Sequence, residues 1–305
     1  MKNDDRSHIE ELAHLYVDGA FDRRELLHRV ARVTGSIAAA TAALAALDLD
    51  IHAQERVAIA PAHQVPEDAR DLNVQNVEFP GEAGVIFAHL ARPVRGRRHP
   101  GVLVIHENRG LNEHIRDVTR RTARAGFVGL GIDLLSRFGG TPADPEEALR
   151  LYQQTTTAGR LSDMLSALTY LQSLRRVEGD ALGAVGFCAG GGNVWNLALN
   201  TDALTAAVPF YGAPVPSPDA LSALGTPVLA IYAELDRTLT RGVLPVVLRL
   251  EELQKPFGFH IYEGTRHAFH NDTGANYDPD AAKDAWRQTT AFLRKHLVSP
   301  DAPTA

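Results

Sequence analysis

The stretch Ala184-Val185-Gly186-Phe187-Cys188-Ala189-Gly190-Gly191-Gly192 decides how the rest of the chain is read. The apolar run over 181–187 has the length and composition of a short buried strand. It meets the single cysteine of the protein, then three glycines, then helix-forming residues at 193–199. Strand, sharp turn and helix in that order make a nucleophile elbow, with a thiol where a hydroxyl is usual. Gly186 and Gly190 fall where a Cβ would collide with neighbouring backbone. The turn lifts Cys188 above the end of the sheet. The helix behind it aims N-terminal N–H groups at the sulfur, which favours thiolate over thiol. A lone cysteine is more often an inert buried side chain; the G-x-C-x-G setting behind a strand reverses that reading.

Strand and helix patterns alternate on both sides of this elbow. Residues 74–79 and 85–91 read as strands joined through Pro80-Gly81-Glu82-Ala83-Gly84, a hairpin. Residues 101–106, 126–133, 206–210, 227–232 and 257–262 read as further strands, nearly all apolar. Helical spacing is carried by Ile115, Val118, Thr122 and Ala125, by Leu161, Met164, Leu165, Leu168 and Leu171, by residues 244–254, and by Trp286, Thr289, Leu293 and Leu297. Continuous apolar strands separated by helices predict an α/β fold, a mostly parallel sheet covered on both faces. Sites in such sheets lie at the carboxyl ends of strands.

Composition bounds the rest. The chain has 305 residues, 45% hydrophobic and 22% charged, as an ordinary globular protein has. A net charge of -6 gives no basic footprint for nucleic acid. One cysteine excludes an internal disulfide. No run has the length and apolarity of a membrane span, so no membrane partner is expected.

A thiol nucleophile needs a base, and the base needs an orienting acid. Asp236, in Ala233-Glu234-Leu235-Asp236, follows one predicted strand, and His267, in Gly264-Thr265-Arg266-His267-Ala268-Phe269-His270, follows the next. The order Cys188, Asp236, His267 is the nucleophile, acid, histidine order of α/β-hydrolases. Glu234 is the rival acid. After the strand at 101–106 stands His106-Glu107-Asn108-Arg109-Gly110, where such a fold places one oxyanion donor. The backbone amides of Asn108 and Ala189 are therefore the candidate oxyanion hole. Glu107 is either a solvated loop carboxylate or one held over the sulfur. His267 and His270 could suggest a metal, but no clear third ligand is near in sequence, and no metal or cofactor is expected.

These residues resemble the dienelactone hydrolase family, the cysteine branch of the α/β-hydrolases, over roughly 73–298. The resemblance is carried by Val104-Ile105-His106-Glu107-Asn108-Arg109-Gly110-Leu111, Gly186-Phe187-Cys188-Ala189-Gly190-Gly191, Ala233-Glu234-Leu235-Asp236 and His267-Ala268-Phe269-His270-Asn271-Asp272. It implies a Cys188, His267, Asp236 triad, a Glu107 that takes the thiol proton when substrate displaces it, and an acyl-enzyme released by water. It implies a small ester or lactone as substrate. It also implies arginines that bind a substrate carboxylate. Arg137 matches one; where the second would fall, this chain has Asn271 with His270 beside it. Tyr211, Phe138 and Trp195 are aromatic candidates for the pocket wall, as is His270 for substrate binding. The other function class open to this fold is a small-molecule binding protein without turnover; a missing triad member would favour it, and none is missing.

The N-terminus has two readings. Asp22-Arg23-Arg24-Glu25-Leu26-Leu27 before the alanine-rich run 37–47, with Ile51-His52-Ala53 as a cleavage site, looks like a twin-arginine export signal to the periplasm. Leu26 stands where Phe is commoner, and the leader is acidic. The alternative is a retained helical arm: Ile9, Leu12, Ala13 and Tyr16 form one apolar stripe, Gly19 stops it, and Asp22 with Glu25 caps the next helix. The arm is our expectation, with a cytoplasmic protein, an extension and linker over 1–70, a hydrolase domain over 71–298 and a tail over 299–305. Such an arm is also the place where a homo-oligomer would form.

Overall fold

The computed structural model describes residues 3–17, 20–47, 65–96 and 98–298. Eight strands form one sheet in the order β1-β2-β4-β3-β5-β6-β7-β8. β1 (Leu72–Gly81) and β2 (Gly84–Pro93) are the expected hairpin, longer at both ends than the alternation suggested. β2 runs antiparallel to β4 (Val128–Ile132). From β4 onward the sheet is parallel through β3 (His99–Ile105), β5 (Val177–Phe187), β6 (Ala206–Phe210), β7 (Val228–Ala233) and β8 (Phe257–Tyr262). The central strands β4, β5 and β6 are apolar on both faces because helices cover both; Val185, Val208 and Ile132 are wholly buried. This is the α/β-hydrolase architecture.

Around the sheet lie α4 (Glu113–Arg124), α5 (Pro145–Gln154), α6 (Thr157–Ser173), α7 (Ala189–Leu199), α8 (Arg237–Glu252) and α9 (Pro279–Leu297). α5 has no counterpart in the apolar spacing. Its signal lies in its start: Asp144 caps it, Pro145 takes its first turn, and Glu146 and Glu147 complement its dipole.

Three helices precede the sheet: α1 (Asn3–Val17), α2 (Arg23–Thr34) and α3 (Ile37–Ala45). The stripe Ile9, Leu12, Ala13, Tyr16 is buried, joined by Leu26 and Val30 of α2 and Leu44 of α3. Asp22 caps α2 by accepting from the Glu25 amide at 2.8 Å. The arm rests on α5, through Gln153 to Glu11 at 2.8 Å and an Arg29–Glu146 ion pair. It also rests on the loop after β8, where the Ala275 amide donates to the Val17 carbonyl at 3.0 Å. Gly19, residues 48–64 with the cleavage site read at 51–53, and the tail 299–305 lie outside the described residues. Among the described residues, no helix is long and apolar enough to cross a membrane.

Candidate active site

Cys188 caps α7 at the end of β5, with φ 53° and ψ -119°. That left-handed backbone is strained for a side-chain-bearing residue and persists because its surroundings over-determine it. The Cys188 amide donates to the Phe210 carbonyl at 3.1 Å, and its carbonyl accepts from the amides of Gly192 and Ala213. A Cβ on Gly186 would stand 2.3 Å from the Gly190 carbonyl oxygen, and one on Gly190 would stand 2.3 Å from that of Ile105. Gly191 and Gly192 pack against the backbone of residues 210–214 in the same way. The glycines let α7 press on β3 and β6, and that pressure holds the bend.

His267 sits in the loop after β8, and its Nδ1 is 2.5 Å from Asp236 Oδ2. Its ring also lies beside the Cys188 side chain, close enough to interact with it. Burial pulls the imidazole down, but the negative sulfur of Cys188 and the hydrogen bond to Asp236 outweigh it. They leave His267 well above the ordinary histidine range. Asp236 begins α8 without using its side chain as a cap, so its carboxylate is kept for the imidazole. The rival Glu234 instead accepts from the Gly264 amide at 2.8 Å and pins the turn between β8 and His267.

Glu107 is wholly buried. Arg109 Nη2 donates to Glu107 Oε2 at 2.8 Å, and Asn271 Nδ2 lies 3.3 Å from both of its oxygens. Asn271, standing where the family resemblance calls for an arginine, thus serves the carboxylate across 164 residues of chain. His106 is structural. Its Nδ1 donates to the Glu107 carbonyl, its Nε2 accepts from the Leu134 amide at 3.0 Å, and burial holds its pKa down. It fixes the loop that carries Asn108 and so aims that residue's amide. Ala189 is the first residue of α7, and the N–H groups of a first turn have no partner within the helix.

The remaining candidates separate. Tyr211, at φ 36°, lies with its ring centroid 4.9 Å from that of His267. Arg137 sits on the short turn after β4, and its Nη2 donates to Asp163 of α6 at 2.6 Å. His270 turns away from His267 and stacks on Phe187, 5.0 Å between centroids. Trp195 is core, bonded to the Tyr232 hydroxyl, and Phe138 is 38% exposed. Of the four described non-glycine residues with positive φ, three, Cys188, Tyr211 and Ala268, are at this site. Strain gathers where groups must be aimed.

The loop bearing His267 is fixed from behind. Asp272 accepts from His114 Nδ1 at 2.9 Å and pairs with Arg121, both on α4. Burial pushes the Asp272 carboxyl up, but the hydrogen bond from His114 and the Arg121 guanidinium prevail and hold it well below the usual carboxylate range. Sequence reasoning also missed Tyr152 of α5, which lies across the elbow with Asn193 and Arg160. Its only signal was the capped start of its helix.

The arrangement brings together a thiol on a strained turn at a helix N-terminus and, beside it, an imidazole bonded to a carboxylate. That set can attack a carbonyl and stabilise the resulting oxyanion. The model of the dienelactone hydrolase family matches residues 86–297. A relative from Bradyrhizobium sp, named "Probable 2-oxo-3-(5-oxofuran-2-ylidene)propanoate lactonase", is 34% identical over 223 residues, 69% of this chain and 90% of its own. A "Putative carboxymethylenebutenolidase" of Synechocystis sp. is 32% identical over 253 residues, 74% of this chain and 98% of its own. Among solved structures, a dienelactone hydrolase from Anabaena variabilis superposes with a TM-score of 0.60 at 21% identity, covering 74% of this chain and 99% of that one, and shares its fold.

Proposed function

This chain belongs to the dienelactone hydrolase family, and from that membership we propose that it cleaves its ester or lactone through Cys188, His267 and Asp236. The observation that carries the assignment is His267 bonded on one side to Asp236 and placed on the other beside Cys188, at the strained elbow. Once the thiol proton has passed to Glu107, the sulfur carries the charge and faces a protonated His267. The sulfur attacks the substrate carbonyl carbon, forming a C–S bond and placing the electron pair on oxygen. The amides of Asn108 and Ala189 donate to that oxyanion. Collapse breaks the C–O bond, and His267 gives its proton to the leaving oxygen. A water then loses a proton to His267 and attacks the thioester, the C–S bond breaks, and the carboxylic acid leaves with the sulfur again negative.

Glu107 is assigned the taking of the thiol proton when substrate displaces it, a role supported by its full burial and its two nitrogen partners. Tyr211 forms the wall beside His267. Arg137 and His270 have weaker support as substrate contacts, since one serves Asp163 and the other the Phe187 stack. We assign 71–298 to the hydrolase unit and 1–70 to the helical arm and its linker, on the strand starting at Leu72 and the helix ending at Leu297. We place the protein in the cytoplasm because Tyr16, Leu26 and Leu44 of the arm are buried in the fold.

The test is hydrolysis of p-nitrophenyl acetate by wild type and Cys188→Ala. The variant loses about a thousandfold or more in kcat/KM. Equal rates end the assignment.

A further inference from the structure

Asn193 lies five residues beyond the sulfur on α7 and is buried. Arg160 Nε donates to its Oδ1 at 3.1 Å. A guanidinium can only donate, so the amide is turned with its oxygen toward Arg160 and its NH2 the other way. That NH2 donates to the Tyr152 hydroxyl oxygen at 3.0 Å. The hydroxyl has one proton. Since it accepts from Asn193, the proton is presented elsewhere.

The ring is held in place. The Arg160 guanidinium lies 5.0 Å from its centroid and the His106 ring meets it edge-on at 6.2 Å. Arg160 is itself anchored on Thr155 Oγ1 at 2.6 Å. Burial pushes the Tyr152 phenol up, against Arg160 and Asn193, so it keeps its proton at neutral pH. Its neighbours Asn193, on α7, and His106, directly after β3, flank the elbow, which places the ring beside it.

Direction follows from the sheet. His267 approaches Cys188 from the β7–β8 side, and the leaving oxygen must face it to take its proton. The acyl group then extends toward β3, the side on which Tyr152 meets His106.

We propose that Tyr152 is a specificity-determining residue, donating its hydroxyl proton to an acceptor oxygen in the acyl part of the substrate. The inference rests on the hydrolytic reading above. It selects esters and lactones with an oxygen near the scissile carbonyl over hydrocarbon acyl groups of the same length.

The experiment compares p-nitrophenyl methoxyacetate with p-nitrophenyl butyrate, which differ by an ether oxygen in place of a methylene. The ratio of their kcat/KM values is the readout, so differences in overall rate between proteins cancel. Tyr152→Phe keeps the ring and lowers the methoxyacetate-to-butyrate ratio by about 3- to 10-fold, the worth of one hydrogen bond. Asn193→Asp keeps the tyrosine but supplies an acceptor for its proton, and lowers the ratio in the same direction. A ratio that stays at the wild-type value in either variant overturns the proposal, whatever happens to the separate rates. If Cys188→Ala cleaves both esters as fast as wild type, the hydrolytic reading fails and this inference fails with it. An unchanged ratio with cleavage still dependent on Cys188 overturns Tyr152 alone.

Discussion

At the scale of single residues the account turns on charge. His267 is raised because a negative sulfur and a carboxylate face it, so its imidazolium persists above the ordinary histidine range near 6.5. The same coupling acts on the sulfur, which is the stronger nucleophile when charged. Alkylation of Cys188 by iodoacetamide should therefore be rapid well below pH 8.5, the ordinary thiol range of about that value. His267→Ala removes the cation and moves the alkylation profile up toward that range. Glu107→Gln removes a buried negative charge and leaves Arg109 without its carboxylate partner. Both changes favour thiolate, so the profile moves down. A profile unaltered by Glu107→Gln would refute its part in holding the thiol proton.

At the scale of elements, the elbow is a contact between α7 and two strand ends. A Cβ on Gly192 would lie 2.0 Å from the Ala213 carbonyl oxygen, a backbone atom that cannot swing aside. Helix propensity favours alanine over glycine by about 1 kcal/mol. Overpacking costs about 1–3 kcal/mol, and a shift near 1 Å at a reacting group costs about a hundredfold in rate. Sterics therefore win over propensity. Gly192→Ala should lower Tm and cut ester hydrolysis by at least about tenfold; a variant as stable and active as wild type would contradict this packing.

The same scale shows what could be read in advance. The strands β3, β5, β6, β7 and β8 are legible because burial on both faces makes each a short apolar run. Asp236 and His267 are legible because each directly follows one. α5 was hidden because its apolar residues, Ala148, Leu149, Leu151 and Tyr152, fill little more than one turn of a ten-residue helix. The partner of Arg137 was hidden as well. A motif can place a guanidinium on a turn, but only α6 supplies the Asp163 that claims it. The Glu107–Asn271 and Tyr152–Asn193–Arg160 contacts join distant segments and have no local signature.

At the scale of the whole molecule, the arm and the site share supports. α1–α3 sit on α5, which carries Tyr152, and on the loop that continues from His267 through Asp272 to Ala275. The arm adds its apolar residues to the core on one side of the sheet. Fully burying Leu12, Tyr16 and Leu26 contributes about 1.5–3 kcal/mol each, enough to keep it folded against the sheet domain. Arg121 and His114 tie the far side of the same loop to α4. The site is therefore held between two packed layers, with the sulfur at the strained bend between them.

The most direct measurement is to mix the enzyme with p-nitrophenyl acetate, quench in acid within the first turnovers, digest, and locate the acetyl group by mass spectrometry. The account predicts a thioester on the peptide carrying Cys188, lost in Cys188→Ala together with turnover. Hydrolysis that proceeds with Cys188 never acylated, and at an undiminished rate in the alanine variant, would contradict it.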